Sequence, residues 1–220
     1  MTVFAAASLA DAFGDVAEAV EDLHPRVDVE LNLAGSPTLA RQVLDGAPAD
    51  VLATADVATM DRLVAAGAAD RPRAFARNSL EIVVPAGNPA GVDGLADLAD
   101  PDLLVGLCAA EVPCGDIARR VLARAGVTPA PDTQEPDVRS LLTKVAAGEL
   151  DVGLVYRTDV RSAGDDVEGI RIPHEVDMAT RYPVAVLDDA PRPELAAAFV
   201  DLVLGPRGRA IMASWGFLPA

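Results

Sequence analysis

The sequence predicts an α/β protein, with parallel sheets covered by helices on both faces in the doubly wound manner. Three observations predict it. Strand-like and helix-like segments alternate along most of the chain. Hydrophobic residues make up 51% of the 220, enough to fill the core of one large domain or two small ones. Pro and Gly cluster at 85–94, 127–131 and 188–193, between the segments rather than within them.

The elements follow in order. The apolar run in "TVFAAA" stops at Ser8, and Leu9, Phe13, Val16, Val20 and Leu23 then recur at helical spacing. Ser8, with Asp11 three residues on, reads locally as a helix cap. Residues 27–33 ("VDVELNL") read as a strand and 37–46 as a short helix, with Ser36 as its cap because Pro37 suits a first helical position. A strand at 50–55 and a helix at 56–67 come next, then a strand at 80–85 ("LEIVVP"). A strand at 103–108 leads into a helix from Gly115 to Ala125. Pro136 marks the start of a helix running to 148, and "DVGLVY" (151–156) and "YPVAVL" (182–187) are strands. Helices at 193–205 and 206–216 close the chain.

Composition excludes several functions. A formal charge of −16 argues against nucleic acid and against anionic membrane surfaces, both of which demand Lys and Arg. Lysine occurs once, at Lys144. No stretch approaches the roughly 18 apolar residues of a transmembrane helix. No signal segment precedes "TVFAAA", which suits a cytoplasmic start as well as a chain whose export signal has been removed. Two cysteines, Cys108 and Cys114, and two distant histidines make a poor zinc site, whereas an even pair in an exported protein reads as a disulfide. Catalysis is not expected. There is no G-x-S-x-G elbow, and nothing brings Cys114 to His24 or His174.

In open α/β sheets ligands bind beyond the carboxyl ends of the strands, which directs attention to the strand-to-helix junctions. Four stand out: Ser8, Ser36, the Cys114–Gly115 pair and Val138. Each helix start offers backbone N–H groups and the positive end of a dipole. Two add a serine hydroxyl, and none has a basic residue at the junction itself. Converging helix starts would make an anion site without Lys or Arg. Serines and prolines also cap helices routinely, so spacing alone leaves the structural role open.

The segments "FAAASLADAF", "LAGSPTLARQVLDGAPADVLATAD", "RNSLEIVVPAGNP", "VPCG", "GLVYRTDV" and "GPRGRAIMASWGFLP", in that order, resemble the molybdate-binding proteins of bacterial ABC import systems. These have the type II periplasmic binding protein fold. The resemblance covers nearly the whole chain. It implies two α/β domains, 1–77 plus 181–220 and 78–180, joined by a two-crossover hinge near Asn78 and Arg181, with a ligand cleft between them that closes on binding.

It also implies a tetrahedral oxyanion, molybdate or tungstate, held through its oxygens by neutral donors with no direct protein–metal bond and no cofactor. Matched by motif, the oxyanion-binding residues are Ser8 of "AAASL", Ser36 of "AGS", Cys114 where alanine is usual in "VPAG", Val138 of "DVR" and Tyr156 of "GLVY". Cys114 would contribute only its N–H, so the change from alanine is harmless. Pro37 removes one backbone donor beside Ser36. The implied partner is the membrane permease of an ABC importer. The implied location is outside the cell membrane, periplasmic or lipid-anchored, as a monomer. Alternatives are a binder of another oxyanion such as sulfate, or the oxyanion-sensing domain of a regulator, which would need a DNA-binding segment that this acidic chain lacks.

Overall fold

The computed structural model describes residues 1–220, and the chain divides into two compact units, Met1–Arg77 with Arg181–Ala220, and Asn78–Thr180. No helix is long and apolar enough to cross a membrane.

The first unit opens with β1 (Thr2–Ala6), a 3₁₀ turn (Ala7–Leu9) and α1 (Ala10–Leu23). Leu9, Phe13, Val16 and Val20 are buried, as their helical spacing predicts, but Leu23 is exposed where α1 ends at the surface. Next come β2 (Glu30–Ala34), α2 (Ser36–Leu44), β3 (Val51–Ala53) and α3 (Val57–Ala65). The expected strand at 27–33 forms only from Glu30. β4 is longer than expected, Arg73–Pro85, and carries the chain from the first unit into the second.

The second unit continues with a 3₁₀ turn (Leu95–Ala99), β5 (Val105–Cys108), α4 (Pro113–Ala125), β6 (Thr133–Glu135) and α5 (Val138–Ala146). It ends with β7 (Val152–Tyr156), α6 (Arg157–Ala163) and β8 (Val167–Ile170). β9 (Ala179–Val186) returns the chain, and α7 (Pro193–Leu204), α8 (Pro206–Ser214) and β10 (Leu218–Pro219) complete the first unit. Sequence patterning missed β6, α6, β8 and β10. Each is short, and β6 ("TQE") and β8 ("VEGI") carry too few apolar residues to show a period.

The sheets are mixed rather than wholly parallel. In the first unit β2, β1 and β3 are parallel, β9 is antiparallel to β3, and β10 pairs antiparallel with Ala76 and Arg77. In the second, β6, β5 and β7 are parallel, while β4 is antiparallel to β7 and β8. Parallel neighbours arise from helical crossovers, and the antiparallel ones involve the two strands, β4 and β9, that carry the chain from one unit to the other.

Aromatic residues are distributed unevenly. Phe13, Phe75, Phe199, Tyr182 and Phe217 form a chain of ring contacts in the first unit, with centroids 5.4–6.3 Å apart. In residues 78–180 the only aromatic is Tyr156, and aliphatic side chains such as Leu107, Val121, Leu141 and Leu154 fill the core there. α4 ends on Gly126 in the left-handed conformation (φ 72°), a helix stop that glycine makes without a Cβ penalty.

Candidate functional site

In the first unit, β1 and β2 pair in parallel with Ala6 opposite Ala34. Ser8 and Ser36 each lie two residues further on. The register therefore delivers both serines to the carboxyl end of adjacent strands. Both are buried, at 4% and 1% exposure.

Neither serine is a helix cap. Ser8 sits inside the 3₁₀ turn, and neither that turn nor α1 has a side-chain cap. A cap needs an extended backbone, which a residue within a helical turn lacks. The Ser8 hydroxyl instead lies 2.9 Å from the Tyr182 hydroxyl. Gly35 occupies the cap position of α2, so Ser36 is the first helical residue and Pro37 the second. Ser36 Oγ accepts a hydrogen bond from the Ala55 N–H at 3.0 Å. Accepting there leaves the hydroxyl its own proton to donate elsewhere. Buried Thr54, whose Oγ1 donates to the Asp56 carbonyl at 2.6 Å, shapes the loop that presents Ala55. Nothing in the local pattern of "TAD" marks that supporting role.

In the second unit the carboxyl ends of β5, β6 and β7 lie together, because Cys108 pairs with Glu135 and Gly106 with Gly153. From those ends the chain enters α4, α5 and α6. Pro113 is the first residue of α4 and Cys114 the second, so the helix begins earlier than expected. Cys108 and Cys114 form a disulfide with Cα atoms 5.9 Å apart. A Cβ on Gly115 would lie 1.9 Å from the Ala109 carbonyl oxygen, so only glycine lets the loop fold so closely over the helix start.

α5 is capped by Asp137, whose Oδ1 accepts the Ser140 N–H at 2.9 Å, and Pro136 lies outside the helix rather than opening it. Val138 is the first helical residue, one of the positions whose N–H has no intrahelical acceptor. The acids in these first turns are engaged elsewhere. Asp137 caps its own helix, and exposed Asp116 pairs with Arg120 at 3.5 Å. Tyr156 ends β7 at 1% exposure.

A set of partners missed by the sequence reading supports these positions. Asp159, fully buried, accepts the Tyr156 N–H at 3.1 Å and lies 3.3 Å from Arg139 Nε. Arg139 also donates to Ser162 Oγ at 3.0 Å. The residue after Val138 is thus tied to the carboxylate beneath Tyr156, and its charge is compensated. At the start of the unit, buried Asn78 donates from Nδ2 to Thr158 Oγ1 at 2.9 Å and accepts the Ser79 N–H at 3.1 Å. The Asn78–Thr158, Arg139–Asp159 and Arg139–Ser162 pairings join residues far apart in sequence and leave no local signature.

Each unit, taken by itself, gathers neutral hydrogen-bond donors at the carboxyl ends of its parallel strands. Such an arrangement suits a binder of small anions. The chain belongs to the bacterial extracellular solute-binding proteins, whose family model matches residues 1–218. It is 41% identical over 218 residues to the molybdate-binding protein ModA of Mycobacterium tuberculosis, a match covering 99% of this chain and 84% of that protein. Among solved structures, the periplasmic molybdate-binding protein of Azotobacter vinelandii superposes with a TM-score of 0.88 at 18% identity, covering 100% of this chain and 99% of that one. The sulfate-binding protein SubI of M. tuberculosis gives 0.86 at 21% identity, covering 100% and 86%. These structural likenesses establish the fold, that of the periplasmic binding proteins.

Proposed function

We propose that this protein binds molybdate, and tungstate alike, outside the cell membrane and delivers it to the permease of an ABC importer. Ser8 and Ser36 of one unit supply hydroxyls, Cys114 and Val138 of the other supply backbone N–H groups, and Tyr156 supplies a phenol. Neither unit alone carries the whole donor set. The observation that carries this reading is the β1–β2 register, which sets two buried serines side by side at consecutive helix starts. The 41% identity to ModA of M. tuberculosis supports the choice of ion.

The chemistry of the donors supports selectivity. Every group in the set donates, and none is a carboxylate or carbonyl acceptor. Molybdate and tungstate are bare dianions at neutral pH and require only donors. Phosphate still carries a proton there, and a buried polar group without its partner costs about 1–3 kcal/mol or more. Sulfate is also a bare dianion, disfavoured only because its shorter bonds leave some hydrogen bonds stretched. Hydrogen bonds to a charged group contribute about 1.5–3 kcal/mol each, so five or more offset the cost of association without any formal counter-charge.

Competitive calorimetry at one neutral pH tests the reading. The expected result is comparable binding of molybdate and tungstate, sulfate weaker by at least ~100-fold, equivalent to about 2.7 kcal/mol, and no phosphate binding. Displacement of molybdate by an equal concentration of sulfate would overturn the choice of ion.

A further inference from the structure

Both donor helices of the second unit are tied to the same three-residue strand, β6. Arg119 on α4 donates from Nη1 to the Cys108 carbonyl at 2.9 Å and to the Gly115 carbonyl at 3.0 Å. Its Nη2 donates to Gln134 Oε1 at 2.9 Å. One guanidinium therefore holds the two carbonyls that bracket the disulfide loop and anchors them to β6. Lys144 on α5 places Nζ 2.6 Å from Glu135 Oε1, a carboxylate that Thr133 also donates to. The Glu135 carbonyl in turn accepts the Ala109 N–H at 2.8 Å. Successive strand residues face opposite sides of a sheet, so Gln134 meets α4 and Glu135 meets α5.

These contacts are specific. Glu135 is 5% exposed, and a carboxylate that deep requires a charged partner. That partner is the only lysine in the chain. Burial works to raise the Glu135 pKa, but the hydrogen bonds from Lys144 and Thr133 and the Lys144 charge outweigh it and hold the carboxyl below its ordinary value. The Glu135 carboxyl is therefore in its charged form at neutral pH, the form that accepts from Lys144.

We propose that Arg119 and Lys144 are positioning residues which, through Gln134 and Glu135 of β6, set the spacing between the Cys114 and Val138 N–H groups. The inference rests on the oxyanion reading above. Two anions of equal charge and different bond length are told apart in part by where the donors stand. A support that sets donor spacing therefore contributes to selectivity.

The test is calorimetry with molybdate and with sulfate on the wild type, Arg119→Met, and the double variant Glu135→Gln/Lys144→Met, which leaves no carboxylate buried alone. Each variant is expected to lose about tenfold in molybdate affinity, equivalent to about 1.4 kcal/mol, and less in sulfate affinity, so that the ratio narrows. Lys144→Arg restores the ratio. Arg73→Met, which removes the exposed Arg73–Asp201 pair of the first unit, leaves it unchanged. Thermal unfolding of the ligand-free variants confirms that they fold, and if the double variant does not, Arg119→Met carries the comparison alone. Equal losses for both anions, or a ratio unchanged from the wild type, would overturn the positioning role and leave the molybdate reading standing. A wild type that binds neither molybdate nor tungstate would overturn both.

Discussion

Tyr156 is the one aromatic side chain available to its unit, and it is spent at a strand end rather than in the middle of the core. Its backbone N–H is held by Asp159, which steadies the strand end that carries the ring. Tyr156→Phe removes one oxygen and little volume. It is expected to weaken molybdate binding by about ten- to a hundredfold, the equivalent of about 1.5–3 kcal/mol. The affinity should fall without loss of thermal stability in the ligand-free protein, and unchanged calorimetric affinity would remove Tyr156 from the donor set. Glu81 on β4 behaves in the opposite sense to Glu135. Burial raises its pKa, Arg157 and Arg171 only partly counter this, and the nearby Asp177 raises it further. The folded state then holds that proton more tightly than the unfolded chain, so this group's contribution to stability falls as pH rises through the region just above the ordinary carboxylate range. Glu81→Gln is expected to melt at a higher temperature than the wild type at pH 7, with the difference closing as the pH is lowered until Glu81 is protonated. A melting point at or below wild type at pH 7 would show that the two arginines outweigh burial.

Among the elements, the start of α4 is the most constrained. It is closed by a disulfide, crossed by Arg119, and packed so tightly on Ala109 that Gly115 admits no side chain. The ring spans a sequence separation of only 6, so cross-linking removes a modest part of the unfolded chain's freedom. Replacing both Cys108 and Cys114 by alanine is expected to cost about 2–3 kcal/mol of stability. Denaturant unfolding should show a lower midpoint with little change in slope. A midpoint equal to wild type would mean that Arg119 and the close packing already hold the loop. α5 is fastened differently, by an Asp cap at its start and an ion pair at its far end, with Arg139 reaching across to α6. Neighbouring helix starts are thus held by polar contacts between elements, which keep direction as well as distance.

Across the whole molecule the charge is −16, yet the proposed ligand is a dianion. The long-range field opposes the approach of the ion, while the helix starts and hydroxyls attract it only at short range. Binding strength and encounter rate should therefore respond differently to salt. Raising ionic strength from about 10 mM to 150 mM shortens the Debye length from about 30 Å to about 8 Å. Stopped-flow association of molybdate is expected to speed up over that range. A rate that falls with salt would indicate a locally positive approach to the site. The first unit is assembled from both ends of the chain, and β4 and β9 carry the two passages between units.

Periodicity and punctuation alone determined the α/β class, most of the long helices and the strands rich in Val, Leu and Ile. A buried face imposes its spacing on the residues that make it, as Leu9, Phe13, Val16 and Val20 do on α1. The four candidate helix starts were legible because strand-to-helix junctions are written locally, in "AAASL", "AGSP", "VPCG" and "EPDVR", whereas Tyr156 of "GLVY" entered only through the family resemblance. The role of each serine was not legible. A residue before a helix and a residue inside its first turn look alike in sequence, and only the backbone conformation separated Ser8 and Ser36 from caps. The mixed sheets, the short polar strand β6, and the Arg139–Asp159 and Lys144–Glu135 pairs were decided by tertiary structure alone. They depend on which distant residues meet, and a side chain carries no mark of a partner nine or twenty residues away until the fold has brought the two into contact.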